Sequence, residues 1–183
     1  PTLVPLVALE VGDLGTGQAM VRLSAPDEET GVELEADYFV LACDVPGVKR
    51  IVEKSELSDA GFQQSVADLG VADPYIVWRI WFDREIPPMA VPFYTTSGFR
   101  YTDSIAIYSQ MQPAYEDWAK RRKGSVIELH AYAVEPENAA LDQAEIQRIM
   151  REELEEMIPE LVGAGVIYDV YQIQQNFPRW APG

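Results

Sequence analysis

Histidine and cysteine are nearly missing from this chain, which has one of each, His130 and Cys43, in 183 residues. A single cysteine excludes an internal disulfide and fits a reducing compartment. A single histidine excludes a histidine-rich zinc site, and any histidine-based triad would have to centre on His130 alone. Cations are scarce too: 14 Lys and Arg stand against 30 Asp and Glu, a formal net charge of −16. A phosphate-reading surface needs clustered Lys and Arg, so this balance argues against nucleic acid as a partner. No apolar run approaches the roughly 18 residues of a membrane span, and no signal peptide is visible.

What is present is ordinary for a folded chain. Hydrophobic residues make up 48% and charged residues 24%, enough for one well-cored domain, or one domain with a partial second. The one basic run, KRRKG at 120–124, follows Trp118 and reads as a helix C-terminus, where cations suit the dipole; contact with a membrane surface is the sharper alternative. The chain opens on PTLVPLVALEV, without Met and already apolar, and stops at RWAPG. We therefore expect a piece of a longer protein.

Strands are expected at 3–11 and 18–24, joined by GDLGTG, and at 32–45, whose second half from Tyr38 to Cys43 is apolar enough to be buried on both faces. Val48, Ile51 and Val52, then Phe62, Val66 and Leu69, repeat at helical spacing. The texture changes at Asp73-Pro74. Strands follow at 75–83, 91–95, 104–111, 125–134 and 166–177, with a short helix near 114–122. Asp142 and Glu145 form a capping-box pattern ahead of a helix whose apolar stripe is Ile146, Ile149, Met150, Leu154, Met157, Ile158 and Leu161, with REELEE on the solvated side. Strands outnumber helices and do not alternate with them, which predicts an α+β fold with a mixed or antiparallel sheet and covering helices.

The stretch PYIVWRIWFDREIPP, 74–88, is unusually aromatic. At a period of two, Ile76, Trp78, Ile80 and Phe82 form a core face, while Tyr75, Val77, Arg79, Trp81 and Asp83 look either at solvent or into a cavity for a large apolar body with a polar edge. In SVIELHAYAV, Glu128, His130 and Tyr132 share the polar face, where His130 is either hydrogen-bonded or a general base. Cys43 reads as a small hydrophobe ending a buried strand. The glycines of GDLGTG lack the G-x-G-x-x-G spacing and lead into a strand, so they read as a hairpin loop. No self-sufficient catalytic constellation or metal cluster is found.

Two separated stretches together resemble a family. EADYFVLACDVPGVKRIV looks like the segment of flavin-dependent amine oxidases and carotenoid desaturases in which a strand of the cofactor domain passes through a small-residue turn into a helix. IVWRIWFDREIP resembles the aromatic strand near the start of the substrate domain in phytoene and ζ-carotene desaturases, which ends in Phe-Asp-Arg, here Phe82, Asp83 and Arg84. SVIELHAYAVEP, EELEEMIPEL and FPRWAPG follow in the order those enzymes show.

The resemblance implies a short piece of an FAD domain at 1–72 and a substrate-binding α+β domain at 73–183, both from an FAD-dependent oxidoreductase. It further implies a hydrophobic substrate such as a carotenoid, held by Trp78, Arg79, Trp81, Tyr94, Tyr108 and Tyr132, with Ala42, Cys43 and Asp44 facing the cofactor. The glycine fingerprint and the C-terminal flavin segment are missing, so these residues alone should neither bind FAD tightly nor be active; the rest of the chain would be the partner. A cytoplasmic protein peripheral to a membrane is expected, because such substrates live in lipid. A true amine oxidase, a self-contained module for a hydrophobic ligand, and an interaction domain with an acidic helix face stay open as alternatives.

Overall fold

The computed structural model describes residues 8–13, 19–24, 32–36, 40–55 and 59–180. They fall into two compact units, one of 1–72 with 176–183 and one of 73–175.

In the first unit, β1 (Ala8–Asp13), β2 (Ala19–Ser24) and β3 (Val32–Ala36) form an antiparallel sheet in the order β1-β2-β3. The helices α1 (Val45–Lys54) and α2 (Ala60–Ala67) follow. A two-residue strand β4 (Gly70–Val71) pairs with β10 (Pro178–Arg179) from the far end of the chain. The expected buried strand through Cys43 is not found: β3 stops at Ala36, residues 40–44 lie in no strand, Val40 is 88% exposed and Cys43 is exposed. The local chemistry explains the correction. Asp44 is the N-cap of α1, its Oδ1 accepting from Gly47 N at 2.8 Å, and Pro46 occupies the first turn, so the preceding residues serve the helix entry instead of a sheet ladder. The residues of the GDLGTG turn beyond Asp13, and Tyr38, lie outside the described residues.

The second unit is built on one antiparallel sheet. Its strands are β5 (Tyr75–Phe82), β6 (Phe93–Thr95), β7 (Ser104–Ile107), β8 (Ser125–Ala131) and β9 (Val166–Gln174), in the order β6-β7-β8-β5-β9. The α+β architecture is thus as expected. One face packs on α5 (Gln143–Met157). Ile76, Trp78, Ile80 and Phe82 from β5 meet Ile127 and Leu129 from β8, Ile105 and Ile107 from β7, and Ile146, Met150 and Leu154 from α5, all buried in one cluster. Ile158 and Leu161 continue it beyond the helix.

Half of the capping box forms: the Asp142 carboxylate accepts from Ala144 N at 3.4 Å, while Glu145 turns to Arg148 at 2.8 Å. One acid of REELEE departs from the expected solvated face. Glu153 is only 8% exposed and accepts from Arg100 N, Tyr101 N, Thr102 N and the Thr102 hydroxyl at 2.7–3.1 Å, tying the 100–102 loop to the helix. Two short elements complete this unit's outer side, a 3₁₀ turn at Tyr108–Gln110 and α3 (Pro113–Arg122). A one-turn helix, α4 (Pro136–Ala139), precedes α5.

Candidate functional site

The face of the five-stranded sheet turned away from α5 carries Arg79, Trp81, Glu128 and His130, while Trp78 and Phe82 stay on the core face. Antiparallel register puts Arg79 opposite Glu128, Val77 opposite His130, His130 opposite Ser104 and Trp81 opposite Tyr168. Because period-two alternation keeps these residues on one side, they form one connected patch.

Glu128 is its hub. Glu128 as a residue is only 4% exposed. Its Oε2 accepts from Arg79 Nε at 2.7 Å and lies 2.5 Å from Arg79 Nη2, and its Oε1 lies 2.8 Å from His130 Nε2. A carboxylate can only accept, so His130 Nε2 carries the proton and donates; the other ring nitrogen, Nδ1, is 2.8 Å from the buried Ser104 hydroxyl. Burial pushes the Glu128 pKa up, yet the hydrogen bonds from His130 and Arg79 and the charge of Arg79 outweigh it, holding the carboxyl below its ordinary value. The acid is therefore ionised and fully used.

Aromatic rings enclose this floor. The Arg79 guanidinium lies 4.1 Å from the Tyr108 ring centroid, and its Nη1 donates to the Tyr115 hydroxyl at 2.7 Å, a stacked geometry available to Arg and not to Lys. The pKa of Tyr108 is raised, first by burial and then by Glu128. Trp81 sits between Tyr168 and Tyr115 at 5.1 and 6.0 Å, and Phe93 and Tyr132 flank His130 at 6.2 and 5.6 Å. The patch thus sets ring faces and edges around a fixed guanidinium, with Tyr108 and Tyr115 also packed edge to face at 5.2 Å. With both ring nitrogens of His130 engaged, it offers no free general base.

Of the residues singled out from the sequence, Arg79, Trp81, Tyr108 and Tyr132 come together here. Trp78 and Tyr94 lie on the opposite face: Trp78 is buried in the core, with its indole N–H on Asp169 at 2.7 Å, and Tyr94 packs against the core with its hydroxyl taking Val91 N. Ala42, Cys43 and Asp44 belong to the other unit. The sequence reading did not single out Ser104, Tyr115 or Tyr168 for this face; Tyr168 could have been found by pairing the two long strands in antiparallel register, but nothing in the local pattern marks Ser104 or Tyr115. Among the described residues no group of His, Cys, Asp and Glu could hold a metal ion, and no helix is long and apolar enough to cross a membrane.

No family model matches the chain. It is 44% identical, over its whole length, to 29% of a carotenoid phi-ring synthase from Chlorobaculum tepidum. Over 80% of its length it is 32% identical to 28% of a carotenoid phi-ring synthase from Streptomyces griseus. The chain thus spans under a third of the curated relatives it matches. Among solved structures, 94% of it superposes on reduced UDP-galactopyranose mutase with a TM-score of 0.63 at 7% identity, covering 34% of that chain. It also superposes on an oxidoreductase from Methanosarcina mazei with a TM-score of 0.57 at 18% identity, covering 36% of that chain; at these identities the likeness is one of fold. In line with the resemblance to carotenoid-modifying enzymes read from the sequence, the chain is similar to one segment of two carotenoid phi-ring synthases, over its whole length in the first and over four-fifths of it in the second.

Proposed function

We propose that the chain is the substrate-side segment of a flavin-dependent, carotenoid-modifying oxidoreductase, and that the Arg79–Glu128–His130 face of the five-stranded sheet bounds its substrate cavity. The whole-length similarity to a carotenoid phi-ring synthase carries this reading, and the aromatic enclosure around Trp81 supports it, since rings on a rigid sheet suit a long polyene. In this role Arg79, Trp81, Tyr108 and Tyr132 contact the substrate, while Trp78 and Tyr94 brace the strands from behind. The residues orient the substrate and exclude water; the fixed Glu128 and His130 keep the floor rigid instead of exchanging protons.

The N-terminus of α1, which follows the turn expected to face the cofactor, does not fit the pyrophosphate of FAD. At the N-terminus of α1 the Gly47 N–H is already taken by the Asp44 carboxylate, so negative charge fills the place where a phosphate would bind. A side chain at Gly47 would come within 2.8 Å of that carboxylate. The redox chemistry, hydride abstraction, belongs in this reading to FAD held by the rest of the protein, with Ala42, Cys43 and Asp44 on the cofactor side but not on its phosphates. The isolated 183 residues are accordingly expected to be inactive.

The visible absorption spectrum of the complete protein tests the proposal. A flavin spectrum that the 183-residue segment alone lacks is the expected result. A colourless complete protein would overturn the flavin assignment and favour a binding module for a hydrophobic ligand.

A further inference from the structure

Phe82, Asp83 and Arg84, at the end of β5, lie outside the face described above, yet each is tied to one turn, residues 160–165. Asp83 N donates to the Gly165 carbonyl at 3.0 Å, and the Asp83 carboxylate accepts from Gly165 N at 2.8 Å. Arg84 Nη1 donates to the Glu160 and Val162 carbonyls at 2.9 and 2.8 Å, and its Nη2 lies 3.5 Å from the Gly163 carbonyl. A second guanidinium reaches the turn from α5. Arg151 Nη2 donates to the Leu161 and Ala164 carbonyls at 2.8 and 3.0 Å, and its Cζ lies 4.6 Å from the Phe82 ring centroid. Each carbonyl from Glu160 to Gly165 is thus met by one of these groups. Arg84 is itself anchored, its carbonyl accepting from the buried Ser125 hydroxyl at 2.9 Å. Gly165 is required by the close approach, since a Cβ there would lie 2.6 Å from the Asp83 carboxylate.

The held turn leads into β9, and there the pairing with β5 is irregular. From Tyr75 opposite Gln174 to Trp81 opposite Tyr168 the two strands stay in step, but Phe82 then faces Val166, which leaves Ile167 as an extra residue on β9. A bulge of this kind bends its strand, raises the local twist and re-aims the side chain beside it. That side chain is Tyr168, whose ring lies 5.1 Å from Trp81. A regular ladder would put Ile167 opposite Phe82 and Val166 opposite Asp83. The two hydrogen bonds between Asp83 and Gly165 exclude that register.

We propose that Phe82, Asp83 and Arg84 are positioning residues, a clamp on the 160–165 turn that fixes the bulge at Ile167 and with it the approach of Tyr168 to Trp81. In the complete protein the clamp sets the shape of the substrate face at its Trp81 end, a consequence that rests on the reading of that face given above. A device for stability alone accounts for the bound carbonyls but not for the bulge, because a regular ladder would satisfy the backbone of β9 without the extra residue. The turn is also held through its backbone, so what the clamp fixes is the path of the chain into β9.

Fluorine NMR of the complete protein grown with fluorotryptophan is the test, with the Trp81 and Trp78 signals assigned by Trp81→Phe and Trp78→Phe. Asp83→Ala and Arg84→Met should each shift the Trp81 signal in the direction that Tyr168→Ala shifts it. Trp78 is held to Asp169, beyond the bulge, and should keep its signal, which also reports an intact fold. Gly165→Ala should copy Asp83→Ala, and the two carry the test if Arg84→Met does not fold. Asp83→Asn should stay at the wild-type signal, because its amide oxygen still accepts from Gly165 N. In Asp83→Ala and Arg84→Met the KM for a carotenoid should rise about fivefold with kcat nearly unchanged, the pattern of a weakened binding contact. An unmoved Trp81 signal, or Trp81 and Trp78 signals that move together, would overturn the clamp. A shifted Trp81 signal with an unchanged KM would leave the clamp standing and refute the substrate reading of this face.

Discussion

Glu128 and Arg79 lie directly opposite one another in β8 and β5, and the guanidinium approaches a single carboxylate oxygen through both Nε and Nη2. Because the acid is buried and the cation is held against Tyr108 and Tyr115, removing either partner strands the other. Arg79→Met should cost about 3 kcal/mol of folding stability by leaving an uncompensated buried carboxylate. Combining it with Glu128→Gln should cost less than the sum of the two single changes, with a coupling of about 2 kcal/mol in a denaturant-unfolding cycle. Strict additivity would show that the pair contributes nothing as a pair.

The same pair sets a pH dependence. Hydrogen bonds from His130 and Arg79, with the charge of Arg79, hold the Glu128 pKa below its ordinary 4.5 against the opposing effect of burial. A carboxyl whose folded pKa is depressed adds stability above its unfolded pKa and loses that contribution as pH falls through the folded value. Stability should therefore drop as the pH is taken below about 4.5, and it should drop less steeply in Glu128→Gln. Urea midpoints measured from neutral pH into this acid window check it; identical acid limbs would assign the loss to other carboxylates.

Glu153 organises a loop from inside a helix. One carboxylate satisfies three consecutive backbone N–H groups, of Arg100, Tyr101 and Thr102, and the Thr102 hydroxyl. Glu153→Ala would leave the buried donors of Tyr101 and Thr102 without acceptors, at a cost of about 3 kcal/mol or more. Hydrogen exchange should show the 100–102 amides losing protection more than those of β5. A uniform loss would mean that the helix, not the loop, depends on this side chain.

How far the sequence could be read depended on how locally each feature is determined. β5 was legible because Ile76, Trp78, Ile80 and Phe82 alternate strictly with half-exposed neighbours, and the stripe of α5 was legible because its period matches the helix. The fate of Val40 was not: Tyr38–Cys43 has the composition of a buried strand, yet the Asp44 cap and Pro46 decide that this end serves α1. Glu153 was missed because position within REELEE predicts solvent, and only the 100–102 loop, some 50 residues earlier in the chain, supplies its partners. The grouping of Arg79 with Glu128 and His130 depends on strand register, which no single segment encodes.

Gly124 is required by close approach. A Cβ there would meet the Phe82 carbonyl at 2.3 Å and the Trp118 ring at 3.1 Å, and the backbone oxygen cannot swing away as a side-chain end could. Gly124→Ala should destabilise the second unit by about 2 kcal/mol, read as a lower thermal midpoint. It should also change Trp118 fluorescence, since that ring is the softer of the two neighbours. An alanine variant as stable as wild type would show that the start of β8 can shift.

Trp81 separates binding from folding most cleanly. Its ring lies on the far side of the sheet from the core cluster, between Tyr168 and Tyr115, so truncation removes contact surface without opening a cavity among Ile80, Phe82 and Met150. If this face holds a polyene, Trp81→Ala in the complete protein should raise KM for a carotenoid substrate about tenfold, the scale of losing one well-placed aromatic anchor. Bound flavin, read from the visible spectrum, should stay at the wild-type ratio, because the proposal gives this face to substrate and not to cofactor. Loss of flavin with unchanged KM would move Trp81 to the cofactor side and break the assignment of this sheet face to the substrate.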